Sequence, residues 1–296
     1  MATAMQPNAK ASPYSVGYRV GKGLNITMRY LALMGIGIFF LFPIVFMIVL
    51  SLQPNDTQLI QDSRTIYAFI PRTISFENYQ DVFDWGPFDL FFFNSLLITV
   101  VTIAIGLVIN SMLAYSLARL RWRGRNLILA IIVALMIIPF QTVSVPLLLI
   151  VNRFGWLDSY HVQIIPFLAN PFFIFLLYQF FIGLPLELEE AALVDGANRL
   201  RVYFQLIIPL SMPIFATVAI LQFLAMWGNF FWPLMVTRGP EFRPLSVGMQ
   251  VFFSNPNVPW GDILAFGVMY TLPTLIVYLF FQRWFVQSVA TTGVKG

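Results

Sequence analysis

Long runs of apolar residues alternate with shorter polar segments along almost the whole chain. A helix needs about 20 residues to cross the hydrocarbon core of a bilayer. Six runs reach that length, and they cover residues 28–50, 90–118, 127–150, 164–183, 209–236 and 263–285. The pattern predicts an all-α membrane protein with six transmembrane helices, in which residues 28–296 form a single transmembrane domain.

The composition agrees with a membrane protein. Of the 296 residues, 59% are hydrophobic and 10% are charged, whereas a soluble domain carries roughly 25% charged residues. Six spans and their connections use the whole length, which leaves no room for a soluble catalytic domain. Residues 1–27 are mostly polar and lack a small-residue cleavage site. We therefore interpret the first run as a retained span that follows a cytoplasmic N-terminal segment.

The basic residues lie mostly on one side of the predicted bundle. Most of the 17 Lys and Arg residues precede or begin the first span, join the second to the third or the fourth to the fifth, or follow the sixth. The positive-inside rule therefore places both termini and the loop at 185–208 in the cytoplasm. The arginines at 119–125 flank a span, so we interpret them as a topology signal and not as a nucleic-acid site.

The two long loops on the other side have compositions unlike a free linker. Residues 51–89 are acidic and aromatic, and residues 237–262 are rich in proline and aromatic residues. Segments this apolar are expected to pack against something, and prolines lower the ordering cost of docking. We expect both segments to be external loops that either lie on the membrane surface or contact an external partner.

The segment 185–208, hereafter the polar loop, is a charged interruption between two apolar runs. A helix turns about 100° per residue, so Glu190 is predicted to lie on an apolar face with Leu186, Leu193 and Val194. The other acidic residues can face water: Glu187, Glu189 and Asp195. A carboxylate on an apolar face needs a cationic partner, and none lies within helical reach. The partner is predicted to belong to another protein; the alternative is a partly solvated Glu in an interfacial helix.

Turn residues divide the polar loop into two short helices. Pro185 suits the first turn of a helix, and Gly196 suits a left-handed helix stop. Asn198 is available to cap a second helix, and Pro209 marks the return to the bilayer. The loop is therefore predicted to be a stiff helix–turn–helix that transmits rigid-body motion.

Several catalytic chemistries have no residues to perform them. There is no cysteine, His161 is the only histidine, and the three lysines are Lys10, Lys22 and Lys295. A phosphate-binding loop, a multi-histidine metal site and a thiol nucleophile are therefore absent from the sequence. The span interiors also contain no charged residue, although ion-coupled carriers use such groups. The chain is expected not to be an enzyme and to depend on another subunit for energy.

Neutral polar residues and indoles within the spans are candidates for a substrate pathway. Amides both donate and accept hydrogen bonds, which suits a hydroxyl-rich ligand, and an indole can stack on a sugar ring. The candidates are Asn94, Gln141, Asn170, Gln222, Trp227, Asn229 and Trp232. The alternative role is hydrogen bonding between helices of the bundle.

The order of residues in and after the polar loop resembles the cytoplasmic coupling loop, or EAA motif, of ABC importer permeases. The residues that carry this likeness to the motif are Glu190, Ala191, Ala192, Asp195, Gly196 and Pro209. Residues 114–119 and Trp227-Gly228-Asn229, together with the terminal residues 293–296, resemble the carbohydrate-uptake branch, and in particular the second permease of maltose-type transporters. One departure is Gly228, because the family usually runs Trp directly into Asn.

The resemblance implies a type I ABC importer permease fold with both termini cytoplasmic, in the inner membrane of a bacterial-type cell. It implies as partners a homologous second permease, two ATPase subunits that bind ATP and Mg, and an extracytoplasmic solute-binding protein. The chain itself would hold no cofactor, and Glu190 would pair with an arginine of an ATPase. The implied cargo is a sugar or sugar-like polyol, with a glycerol phosphate ester or another small polar solute as the alternative.

Two other classes of protein remain open from the sequence. A self-contained facilitator or carrier predicts ligand flux through the purified chain without ATP. A membrane scaffold that transports nothing predicts that substitution of the candidate pathway amides leaves uptake unchanged.

Overall fold

The computed structural model describes residues 16–54 and 56–293, and within these ranges all regular structure is helical. The helices are α1 Val16–Ser51, α2 Asp56–Asp62, α3 Glu77–Trp85, α4 Phe88–Arg119, α5 Arg125–Leu135, α6 Phe140–Arg153, α7 Tyr160–Ile164, α8 Pro171–Ile182, α9 Leu186–Val194, α10 Arg199–Val202, α11 Ile208–Leu210, α12 Met212–Trp227, α13 Phe231–Val236, α14 Leu245–Ser254 and α15 Trp260–Gly293. A π-helical segment covers Tyr203–Ile207. Residues 1–15 of the predicted N-terminal segment and residues 294–296 of the C-terminal likeness lie outside the described residues.

Four helical stretches are long and apolar enough to cross a membrane. They are Ile26–Ser51, Phe88–Arg119, Tyr160–Ile182 and Trp260–Gln282. Two more spans are bent pairs of helices, namely Arg125–Leu135 with Phe140–Arg153 and Arg199–Leu210 with Met212–Trp227. The all-α fold is confirmed, and six spans result when each bent pair counts as one.

The third span is not the straight helix that the apolar run at 127–150 predicts. Its halves α5 and α6 meet at an angle of 104°. Pro139 between them has extended backbone, with ψ 140°. Because Pro139 has no amide hydrogen with which to continue the helix of α5, one apolar run becomes two helices.

The fifth apolar run, 209–236, is divided at two places. A bend of 78° beside Ser211 separates α11 from α12. Helix α12 then ends at Trp227, with Gly228 as its C-cap, and helical backbone resumes only at Phe231. The predicted single span is therefore three helices, of which α12 is the longest.

Helix α4 packs against α8, α12 and α14. Near its C-terminal end a buried cluster joins α4 to α8, α12 and the π segment. Its members include Leu117, Leu177, Phe181, Tyr203 and Val218. Near its N-terminal end a second cluster joins α4 to α12, α14 and α15. That cluster includes Phe88, Phe223, Trp227, Phe252 and Phe266. Burial of these side chains holds the two ends of α4 against different neighbours.

The two long loops predicted to be external pack on the chain's own helices. Asn78 in α3 donates from Nδ2 to the carbonyl oxygens of Ser51 and Gln53, at 2.8 Å each. In the second loop, the carbonyl oxygen of Phe242 accepts a hydrogen bond of 2.7 Å from Gln163. These buried amides satisfy loop carbonyls that would otherwise lack partners, so these parts of both segments are fastened to the rest of the chain.

The close approach of α4 to α12 requires the absence of a side chain at Gly106. A Cβ atom there would lie 2.6 Å from Nε2 of Gln222 and 3.2 Å from the carbonyl oxygen of Leu168. We expect Gly106→Val to lower the free energy of unfolding by about 1–3 kcal/mol, because overpacking displaces well-packed neighbours. Thermal unfolding in detergent measures this loss. Gly35→Val is the matched control, since a Cβ at Gly35 meets nothing within 4 Å; equal melting temperatures for the two variants would contradict the packing argument.

Candidate functional site

The polar loop folds as the capped helix–turn–helix that its sequence predicts. Helix α9 ends at Val194 with Asp195 as its C-cap, and Gly196, which follows, has a left-handed φ of 87°. The amide of Gly196 donates to the carbonyl oxygen of Leu193, and that of Ala197 donates to the carbonyl oxygen of Ala192. These two bonds form a Schellman motif, which satisfies carbonyls at the helix end. The loop is therefore stiff at its turn.

The second helix of the polar loop is capped as predicted. Asn198 precedes α10, and its Oδ1 accepts a hydrogen bond of 2.8 Å from the amide of Arg201. The π segment follows α10 and leads into Pro209. Within it, the hydroxyl of Tyr203 lies 2.6 Å from Oγ of Ser111 in α4. The loop is thus fastened to the bundle where it re-enters.

The two neighbouring carboxylates of α9 point in different directions. Glu190 is exposed, whereas Glu189 is only 1% exposed. The expectation that Glu189 faces water is therefore wrong. Adjacent residues on a helix differ by about 100° in direction, so one of the pair turns toward the bundle when the other turns away. One of the two arginines that contact the Glu189 carboxylate, Arg119, comes from α4. The spacing of residues within the loop does not reveal this contact.

Glu189 is the centre of a group of polar side chains, hereafter the Glu189 cluster, formed with the buried Tyr115 and Arg119 and the half-exposed Arg199. Oε1 of Glu189 accepts hydrogen bonds of 2.7 Å from the Tyr115 hydroxyl and from a terminal nitrogen of Arg199. Oε2 of Glu189 lies 3.7 Å from Nε of Arg119. A buried carboxylate requires such compensation, because its removal from water is costly.

Arg119 joins the cluster to a third helix. One of its terminal nitrogens donates to the carbonyl oxygens of Phe181 and Leu184, at 2.5 and 2.6 Å, at the end of α8. The last carbonyls of a helix have no partner within the helix, and a cation there is favourable. Through one guanidinium, the C-terminal ends of α4 and α8 are tied to α9.

The face of α9 that carries Glu190 is uncovered at both ends, whereas Leu193 on the same face packs against the buried cluster of α4 and α8. Leu186 is 46% exposed and Val194 is 87% exposed. Most of the other residues that resemble the coupling motif are exposed as well: Ala191, Asp195, Gly196 and Pro209. Ala192 instead packs against the buried cluster of α4 and α8. An apolar surface around an exposed carboxylate is typical of a protein-binding site.

The predicted pathway amides in α4, α8 and α12 have partners within the chain. Asn94 is fully buried and donates to the carbonyl oxygens of Glu241 and Arg243. Gln222 donates to the carbonyl oxygen of Thr102. Asn170 caps α8. These contacts match the alternative role, hydrogen bonding within the bundle.

The two predicted sugar-stacking indoles are buried. Trp232 is 0% exposed, donates from Nε1 to the carbonyl oxygen of Val162, and packs against Phe140. Trp227 is 3% exposed and donates to the carbonyl oxygen of Tyr270. Neither indole has a free face for a sugar in this conformation, because aromatic neighbours cover both.

The two remaining pathway candidates lie apart from each other. Gln141 is exposed at the start of α6, whereas Asn229 lies in the break between α12 and α13. Asn229 lines a small cleft with Ser95, Gln163 and Pro233, and this cleft has space for about one water molecule. The structure therefore does not gather the seven candidates around one cavity, and their pathway role stays a prediction.

Fold and site together define a class of protein: an integral membrane transport subunit whose bundle presents a stiff, partly exposed helical loop. The chain belongs to the family of binding-protein-dependent transport system inner membrane components, whose model matches residues 106–291.

Two relatives resemble the chain over nearly its full length. The arabinooligosaccharides transport system permease protein AraQ of Bacillus subtilis (strain 168) is 33% identical over 286 residues, which are 96% of this chain and 99% of the relative. The trehalose/maltose transport system permease protein MalG of Thermococcus litoralis is 29% identical over 280 residues, which are 92% of this chain and 99% of the relative. The chain is therefore similar over nearly its whole length to permease subunits of sugar transport systems.

A solved structure shows the same fold. It is the crystal structure of a bacterial ABC transporter involved in the import of the acidic polysaccharide alginate, one chain of which matches with a TM-score of 0.76 and 26% sequence identity. The match covers 92% of this chain and 99% of that chain. The fold is accordingly that of a type I ABC importer permease, in a multi-pass protein of the bacterial inner membrane.

Proposed function

We propose that this chain forms the translocation pathway together with a homologous second permease. Two ATPase subunits would bind on the side of the polar loop, and an extracytoplasmic solute-binding protein would deliver the cargo to the opposite side. The family description, a binding-protein-dependent transport system component, supports this assembly. The excess of basic residues on the polar-loop side supports a cytoplasmic position for that loop and for both termini.

The energy for transport is proposed to come from the ATPase partners. The sequence holds three lysines, none in a phosphate-binding loop, and the span interiors hold no charged residue that would couple an ion. ATP and Mg would therefore be bound by the partner subunits, and this chain would hold no cofactor of its own.

The observation that carries the coupling proposal is the exposed Glu190, which lies on α9 with the exposed apolar side chains of Leu186 and Val194. Among the described residues, Glu190 has no ion pair and no side-chain hydrogen bond. A carboxylate in such a surface is suited to an arginine of a partner, with which it can form a bidentate ion pair. The Schellman motif at Gly196 fixes the angle between α9 and α10. A displacement by the ATPases would therefore move α9 as a rigid body.

We propose that the cargo is a neutral sugar or a sugar-like polyol. The names of the two relatives refer to arabinooligosaccharides and to trehalose and maltose, and the span interiors supply amides and hydroxyls but no basic groups. A glycerol phosphate ester or another small polar solute is the alternative, and it would need basic groups from the second permease.

The test is purification of the tagged chain in a mild detergent, with mass spectrometry of the proteins that accompany it. We expect a phosphate-loop ATPase, a second permease and a binding protein. Calorimetric titration of that binding protein with maltose, arabinobiose and glycerol 3-phosphate would then identify the class of cargo. A chain that purifies alone, without an ATPase, would favour a self-contained facilitator and contradict the importer.

A further inference from the structure

The Glu189 cluster contains two buried, oppositely charged atoms that face each other without a hydrogen bond. Nε of Arg119 and Oε2 of Glu189 are 3.7 Å apart, and neither has any hydrogen-bond partner. The side chains are 6% and 2% exposed, respectively. Water therefore does not compensate these atoms, and within this part of the structure the only opposite charge that faces Nε of Arg119 is the Glu189 carboxylate, which Arg199 also binds through Oε1. The relative position of α4 and α9 directly sets the length of this contact.

The cluster is also the place where four helical elements meet. Arg119 comes from the end of α4 and donates to one carbonyl in the last turn of α8 and to one just after it, whereas Arg199 begins α10. Glu189 receives both arginines and the hydroxyl of Tyr115. A displacement of α9 must therefore either carry the ends of α4 and α8 with it or separate buried opposite charges, which is strongly unfavourable.

We propose that Glu189 and Arg119 are positioning residues that transmit the movement of α9 into α4 and α8. This inference rests on the proposed coupling function of the polar loop and assigns the step after it. The two adjacent carboxylates have different roles. Glu190 faces outward and binds the ATPase, whereas Glu189 faces inward and joins the helix to the membrane-spanning bundle. Without the ion pair between Glu189 and Arg119, α9 would move with the ATPases but would no longer move α4 and α8.

The decisive variant is Glu189→Gln in the complete complex, reconstituted in lipid vesicles with ATP and the binding protein. We expect the ATPases to remain bound, because Glu190 is untouched. The number of cargo molecules imported per ATP hydrolysed should fall about tenfold, in the range typical of lost coupling between sites. The matched control is Glu187→Gln, which neutralises an exposed carboxylate of the same helix and should leave that ratio unchanged.

A second variant separates coupling from folding. Glu189→Gln alone leaves the buried Arg119 with its carbonyl partners but without a carboxylate, so lost stability could explain a defect. The double variant Arg119→Gln with Glu189→Gln removes both charges, and paired removal of a buried ion pair is much better tolerated than removal of one partner. We expect the double variant to recover most of the melting temperature of the unmodified complex but to keep the low transport-to-ATP ratio.

The outcomes distinguish this inference from the function on which it rests. A wild-type ratio in the double variant, with transport still lost in Glu190→Ala, would overturn the role of the Glu189 cluster alone. Full transport by Glu190→Ala would overturn the coupling function of the loop itself. Loss of bound ATPase in Glu189→Gln at an unchanged melting temperature would show a docking role for Glu189 and would likewise overturn the proposal.

Discussion

Replacing Glu190 with alanine is expected to abolish uptake while the protein still inserts into the membrane. Removal of one partner of a desolvated charge pair at an interface costs about 2–5 kcal/mol of binding free energy, which is roughly 30-fold to several thousandfold in affinity. The ATPases should therefore no longer co-purify at stoichiometric level. Insertion should persist because Glu190 is exposed and holds no ion pair among the described residues.

The measurement combines uptake of labelled cargo with the ratio of ATPase to permease in the purified complex. Glu187→Ala provides the control, because Glu187 is also an exposed carboxylate in the first turn of α9. Full transport by the Glu190→Ala variant would exclude the coupling role of this residue. An equal loss of uptake in the Glu187→Ala variant would show that uptake depends on the total negative charge of the loop and not on Glu190 in particular.

Substitution of Gly196 by proline is expected to be as damaging, for a reason that lies in the backbone. Gly196 has a φ of 87°, whereas proline is restricted to φ near −65°. Proline also removes the amide that donates to the carbonyl oxygen of Leu193. The Schellman turn cannot form, so α9 loses its fixed angle to α10 and uptake should be lost.

A series at Gly196 tests whether backbone conformation is the cause. A Cβ atom at this position meets nothing within 4 Å, so side-chain volume alone is harmless. Asparagine tolerates left-handed backbone better than alanine does, and we expect uptake to decrease in the order Gly, Asn, Ala, Pro. Membrane insertion, followed by detergent extraction and size-exclusion chromatography, should be retained throughout. Equal uptake by the Ala and Pro variants would contradict the turn argument.

The parts of the molecule that follow from local sequence were predictable. Apolar runs identified the six spans, and Gly196 and Asn198 identified the turn and cap of the polar loop. These features depend on residues a few positions apart. A proline can break a helix locally, but the 104° between α5 and α6 depends on how the two halves pack, which local sequence does not encode.

The Glu189 cluster was missed because its contacts are distant in sequence. Tyr115 and Glu189 are 74 positions apart, and only the folded bundle brings α4 to α9. A helical projection of the polar loop predicts Glu190 on an apolar face and Glu189 in water. It contains only residues of that helix, so it cannot show a partner from α4. The signal present in the sequence was the run from Ala114 to Arg119, which the family likeness marked without indicating its partner.

The pathway candidates show the same limit. An amide in a span is equally suited to a ligand and to a neighbouring carbonyl, so residue type cannot choose between them. The amide of Asn94 binds the carbonyl oxygens of Glu241 and Arg243, which belong to the loop at 237–262 and lie beside it only in the folded protein. Those loop carbonyls lie almost 150 positions away along the chain.

The most direct test of the whole account is uptake into vesicles that contain the purified complex. We expect accumulation of the cargo only when ATP is present on the side of the ATPases and the loaded binding protein is present on the opposite side. Omission of either should reduce uptake to the level of empty vesicles. Flux of the cargo through vesicles that contain this chain alone, without ATP, would contradict the importer and show a self-contained facilitator.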